Sequence, residues 1–93
     1  MDINELRVNI DKIDNKIIKL FCERMRVSAD IARYKTQKNL PAYDPYRERH
    51  KLSDILNKTD TDLHEYMDAL YTKIFKLSRL YQESIINNAE NIE

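Results

Sequence analysis

The sequence predicts an all-α protein of three helices, one of them very long, paired with a second copy into an intertwined helical homodimer. Tight β-turns draw on glycine and proline, and this chain has no glycine and two prolines, Pro41 and Pro45. Apolar residues instead recur at spacings of three and four over two long stretches. The length of 93 residues suits one domain, residues 1–93, with one modest core.

The first helix opens at Asp2-Ile3-Asn4-Glu5, which has the shape of a capping box with Asp2 as N-cap. Its apolar seam runs through Ile3, Leu6, Ile10, Ile13, Ile17 and Leu20, then Val27 and Ile31, to about Lys38. A helix of that span is about 54 Å long. A compact domain of this size has a radius of gyration of only about 12–13 Å. One chain is therefore too small to cover the seam, and a second copy is expected to do so.

Asn39-Leu40-Pro41-Ala42-Tyr43 breaks the pattern. Asp44-Pro45 restarts it, with Asp44 as N-cap and Pro45 at the first helical position. The second helix is expected over 45–57, with Leu52, Ile55 and Leu56 inward. Thr59-Asp60-Thr61-Asp62 is a polar link, and Asp62 with Glu65 reads as another capping box. Leu63, Tyr66, Met67, Leu70, Ile74, Leu77, Tyr81 and Ile85 form the apolar face of a third helix. That helix is expected to fray after about Asn87, leaving a disordered Asn-Glu tail.

Charge and cysteine content narrow the function. Sixteen basic residues balance sixteen acidic ones, so there is no simple electrostatic case for nucleic acid or an anionic membrane. No apolar run reaches the length of a membrane span, and Met1-Asp2-Ile3-Asn4-Glu5 does not read as a signal peptide. Cys22 is the one cysteine; beside Phe21 in mid-helix it reads as a small core thiol. His50 and His64 lack metal-ligand spacing. These observations fit a cytoplasmic protein with no metal.

Arg24 is the residue that points to chemistry. It occupies a seam position where the pattern asks for leucine, and a buried charge costs several kcal/mol unless it is paired. A salt bridge to Glu23 or Asp14 is one solution; an anion arriving from outside is the other. Lys35 lies eleven residues on, about 20° away around the helix, with Ser28 and Ile31 between. Ser78 and Gln82, four apart on the third helix, share one face. Asp44, Arg47 and Glu48 stand at the start of the second helix. Taken singly, Lys35 is a solvated helix end, Arg7, Arg47 and Glu48 are surface charge, Asp44 is a cap, and Ser78 with Gln82 is an interhelical pair.

Together with Arg7, these residues resemble the active site of the all-helical chorismate mutase family. The segments that carry the likeness are Leu6-Arg7, Glu23-Arg24, Lys35, Asp44-Pro45-Tyr46-Arg47-Glu48-Arg49 and Ser78-Arg79-Leu80-Tyr81-Gln82. The resemblance implies a chorismate mutase of phenylalanine and tyrosine synthesis, working without a cofactor. It implies that Arg7 crosses from the partner subunit and joins Arg24 in gripping the two carboxylates of chorismate, with Ser78 helping. Lys35 and Gln82 would donate to the ether oxygen. Glu48, with the backbone near Asp44, would orient the ring hydroxyl, and Arg47 would support these groups. Geometry agrees on Arg7, which lies about 25 Å from Arg24 along one straight helix and so cannot share a small ligand with it inside one chain. The alternatives are an isochorismate pyruvate lyase of the same fold, a branch that the Asp44 and Arg47 matches disfavour, and a non-catalytic helical dimerisation module.

Overall fold

The computed structural model describes residues 1–90. In order these form α1 (Ile3–Gln37), α2 (Pro45–Asn57), a 3₁₀ turn (Thr61–Leu63) and α3 (His64–Glu90). No strand occurs among the described residues.

The first two helices begin at the capping residues that the sequence marks. The Asp2 carboxylate accepts from the Glu5 N–H at 2.9 Å, and the Asp44 carboxylate from the Arg47 N–H at 3.0 Å, with Pro45 next to the cap. These bonds satisfy donors that a helix start leaves without intrahelical partners. The end of α1 is a Schellman motif, in which Leu40 N–H donates to the Lys35 carbonyl at 2.8 Å and Asn39 N–H to that of Thr36 at 3.3 Å. The motif needs one residue with left-handed backbone, and Asn39 adopts it at φ 56°. Asparagine tolerates that region better than most residues, so a chain without glycine can still stop its longest helix sharply. The stop turns the following loop back along α1.

The start of α3 departs from expectation. Asp62 does not cap it; Asp62 lies inside the 3₁₀ turn, whose own N-cap, Asp60, makes no side-chain cap bond. The chain there is tied by the Leu63 N–H donating to the Asp60 carbonyl at 2.9 Å. The His64 Nε2 also lies 2.8 Å from the Thr59 carbonyl, to which it must donate because a carbonyl only accepts. Nor does α3 end near Asn87: it continues to Glu90. No glycine or proline interrupts this stretch, and Ala89 is a strong helix former. The remainder of the expected disordered tail, 91–93, lies outside the described residues.

Helices α1 and α3 pack against each other, and α2 packs on α3. The buried positions are Ser28, Ala29 and Ala32 on α1 and Phe75, Ser78 and Gln82 on α3. Small side chains on α1 allow a close approach of the two helices, since side chains at the contact set the spacing. Half of this small set is polar, which marks the contact as more than a core.

The N-terminal half of α1 is uncovered. Its seam from Ile3 to Leu20 is exposed, Ile17 at 57% and Leu20 at 62%. The chain measures 59 × 26 × 14 Å with a radius of gyration of 16.8 Å, well above that of a compact domain. Cys22 is exposed as well, contrary to its reading as a core thiol, because the face of α1 that carries it is left uncovered by the other described elements.

Candidate active site

The polar patch between α1 and α3 opens into a cleft of about 460 Å³. From α1 come Arg24, Val27, Ser28, Ile31 and Lys35; from the loop and α2 come Ala42, Asp44, Arg47, Glu48 and Lys51; from α3 come Phe75, Ser78, Arg79 and Gln82. Seven of the eight residues assigned from the sequence therefore meet in one place: Arg24, Lys35, Asp44, Arg47, Glu48, Ser78 and Gln82. Arg7 does not join them. It is exposed on the uncovered half of α1.

Lys35 and Gln82 form the centre of the site. The Lys35 ammonium donates to the Ala42 carbonyl at 2.8 Å and to Gln82 Oε1 at 3.1 Å. An ammonium has three donors, so one is left for a ligand. The Gln82 amide donates in turn to Ser28 Oγ at 3.4 Å, and Ser28 is hydrogen-bonded to Ser78. With Oε1 held by a cation, the amide group keeps its NH₂ side inward. That bond to Ser28 is long and uses only one amide hydrogen. The helix-terminating turn at Asn39 is what brings the Ala42 carbonyl over Lys35.

The charge balance of the cleft differs from that of the chain. The lining holds five cations, Arg24, Lys35, Arg47, Lys51 and Arg79, against two carboxylates, Asp44 and Glu48, while the whole chain is neutral. Among the described residues no carboxylate lies within ion-pair distance of Arg24, so neither Glu23 nor Asp14 neutralises it. Its guanidinium instead sits 5.8 Å from the centroid of the Phe75 ring. Asp44 spends one oxygen as a cap, and Glu48 lies 3.0 Å from Arg79 Nε. A half-enclosed, cation-rich cleft of this kind is suited to a small anion with more than one carboxylate.

Seven lining residues were not assigned a site role from the sequence: Val27, Ser28, Ile31, Ala42, Lys51, Phe75 and Arg79, of which Ser28 and Ile31 already lay on the strip between Arg24 and Lys35. Lys51 had a signal, being four residues after Arg47 and three after Glu48, hence on their face. Phe75 had one too, three before Ser78. Arg79 had none, because the residue next to a buried serine usually faces away. Neither histidine joins the cleft: His50 lies 3.8 Å from Asp54, and His64 is tied to Thr59. No helix among the described residues is long and apolar enough to cross a membrane.

Fold and cleft together define an all-helical protein with a cation-rich cleft between three helices. The sequence model of chorismate mutase type II matches residues 6–83. A chorismate mutase from Methanocaldococcus jannaschii is 33% identical over 91 residues, which cover 94% of this chain and 90% of that protein. A bifunctional chorismate mutase/prephenate dehydratase from Aquifex aeolicus is 40% identical over 55 residues, 59% of this chain and 15% of the relative. The T-protein of Haemophilus influenzae is 37% identical over 46 residues, 50% of this chain and 12% of that protein. The chain belongs to the chorismate mutase type II family.

Proposed function

We propose that this protein converts chorismate to prephenate in aromatic amino acid synthesis, as a cytoplasmic homodimer with two shared sites. The observation that carries this reading is the Lys35–Gln82 pair, set in the same cleft as an Arg24 that has no carboxylate partner among the described residues. The reaction is one pericyclic step, in which an ether C–O bond breaks as a C–C bond forms. It needs no nucleophile and no proton relay. Acceleration comes from holding the folded, near-attack conformer and from donors placed where charge develops on the ether oxygen.

Each residue then has a task that its chemistry suits. Arg24 binds a carboxylate, because a planar guanidinium matches it bidentately. Arg7 of the partner subunit takes the other, and Ser78 assists. The free donor of Lys35 and the amide of Gln82 meet the ether oxygen. Glu48 accepts from the ring hydroxyl, with the backbone near Asp44, and Arg47 supports them. The uncovered apolar seam on α1 supports the dimer: an exposed strip of this extent is a common mark of an interface. Two such helices packed antiparallel bring Arg7 of one copy towards Arg24 of the other. Asp44 and Arg47 on the cleft wall favour this reading over the lyase alternative.

Three measurements test parts of this proposal. Light scattering at micromolar concentration is expected to give the mass of a dimer; a stably folded monomer contradicts the shared site. A bridged dicarboxylate that mimics the folded transition state is expected to bind competitively with chorismate. No binding to the folded protein leaves the non-catalytic module as the better reading. Glu48→Gln keeps shape and one acceptor, so it is expected to retain more kcat/KM than Glu48→Ala. Equal losses would show that the position supplies charge rather than geometry.

A further inference from the structure

We infer that Arg79 is a positioning residue that sets the Glu48 carboxylate against the ring hydroxyl of the substrate, an inference resting on the function proposed above. Arg79 leaves α3 beside Ser78 and touches two other parts of the chain. Its guanidinium lies 4.5 Å from the centroid of the Tyr43 ring, in the loop before α2. Its Nε lies 3.0 Å from Oε2 of Glu48, in the first turn of α2. Both side chains of the ion pair are largely covered, 31% and 23% exposed, so solvent screens the pair only in part.

The surroundings explain why such a tie is needed. No residue of α2 is fully buried, so apolar packing holds that helix weakly. Glu48 has to stand at a fixed height above the cleft, although the helix that carries it has little core of its own. Arg79 supplies the missing restraint from α3, the element that also carries Ser78 and Gln82. The contact engages one oxygen of Glu48 and leaves the other for a hydroxyl. The Nε–H is buried and makes no aligned hydrogen bond among the described residues, although Oε2 is near. A small rotation of the carboxylate would align it, so substrate binding and the Arg79 bond can tighten together.

The test separates positioning from a general structural role by changing the substrate. Arg79→Met keeps length and apolar volume but removes the charge. It is expected to lower kcat/KM for chorismate by about 10- to 100-fold, the scale of a misplaced reacting geometry. On the analogue with hydrogen in place of the ring hydroxyl it is expected to change kcat/KM little. Arg79→Lys keeps the charge without the planar fork and is expected to fall between. In a Glu48→Gln background, Arg79→Met should add almost nothing, because contacting partners are not additive. Equal losses on both substrates, or additive losses with Glu48→Gln, would overturn the inference. So would full activity of Arg79→Met on chorismate, which leaves the mutase reading standing. A folded wild-type protein that leaves chorismate unchanged removes both.

Discussion

Arg24→Ala is expected to lose at least about 10²–10³-fold in kcat/KM, the usual cost of removing one well-placed electrostatic group from an active site. Arg24 lines the cleft and has no carboxylate partner among the described residues, which leaves it for the ligand carboxylate of the proposed function. Arg7→Ala is expected to be as severe, although Arg7 is exposed and lies outside the cleft of its own chain. The two inactive proteins should complement each other. In a mixed dimer, one site combines the intact Arg24 of one chain with the intact Arg7 of the other, and the second site lacks both. Free exchange of an equal mixture therefore restores about a quarter of the wild-type sites in a twofold dimer. Activity assays before and after mixing, with subunit exchange followed by native mass spectrometry, check this. Exchange without recovery would place Arg7 outside the shared site.

Gln82→Glu should convert a pH-independent donor into a pH-dependent one. The wild-type amide can donate at any working pH. It is 7% exposed and its oxygen is held by the Lys35 ammonium at 3.1 Å. A glutamate there, with a reference pKa of about 4.3, presents only acceptors once ionised. It would also draw Lys35 into a salt bridge, so both of the proposed donors to the ether oxygen would be compromised at neutral pH. Desolvation raises the carboxyl pKa and the neighbouring ammonium lowers it, yet with either balance the donor form grows on acidification. The variant is expected to be poor at pH 7 and to recover relative to wild type as pH falls through about 6 to 5. The readout is kcat/KM against pH for both proteins, with circular dichroism to confirm folding. A constant ratio across that range would remove Gln82 from the ether oxygen.

The fold was legible where one residue settles one local question. Asp2 and Asp44-Pro45 mark helix starts because their side chains satisfy free N–H groups, whatever packs around them. Asp62 misled because the same residue type also suits a turn, and there the Leu63 N–H found its partner in the Asp60 carbonyl while the His64 ring met that of Thr59. The capacity of Asn39 to end α1 was not drawn from its type alone, since left-handed backbone depends on the whole turn. In the site, Arg24, Lys35, Ser78 and Gln82 could be aligned because helical spacing fixes which residues share a face. Arg79 could not, since its contacts with Tyr43 and Glu48 join three elements whose mutual placement is a tertiary fact. Cys22 looked like core because the apolar stretch around it is real. In this chain that stretch is exposed, and the proposed dimer is what would cover it.

The most direct measurement follows chorismate absorbance after addition of the purified wild-type protein, with the product identified by mass spectrometry and a coupled assay for pyruvate. Chorismate should disappear and prephenate accumulate, without pyruvate from chorismate or isochorismate. Chorismate left unchanged by a folded, dimeric protein, or pyruvate released from isochorismate, would contradict a mutase site built on Arg24, Lys35 and Gln82.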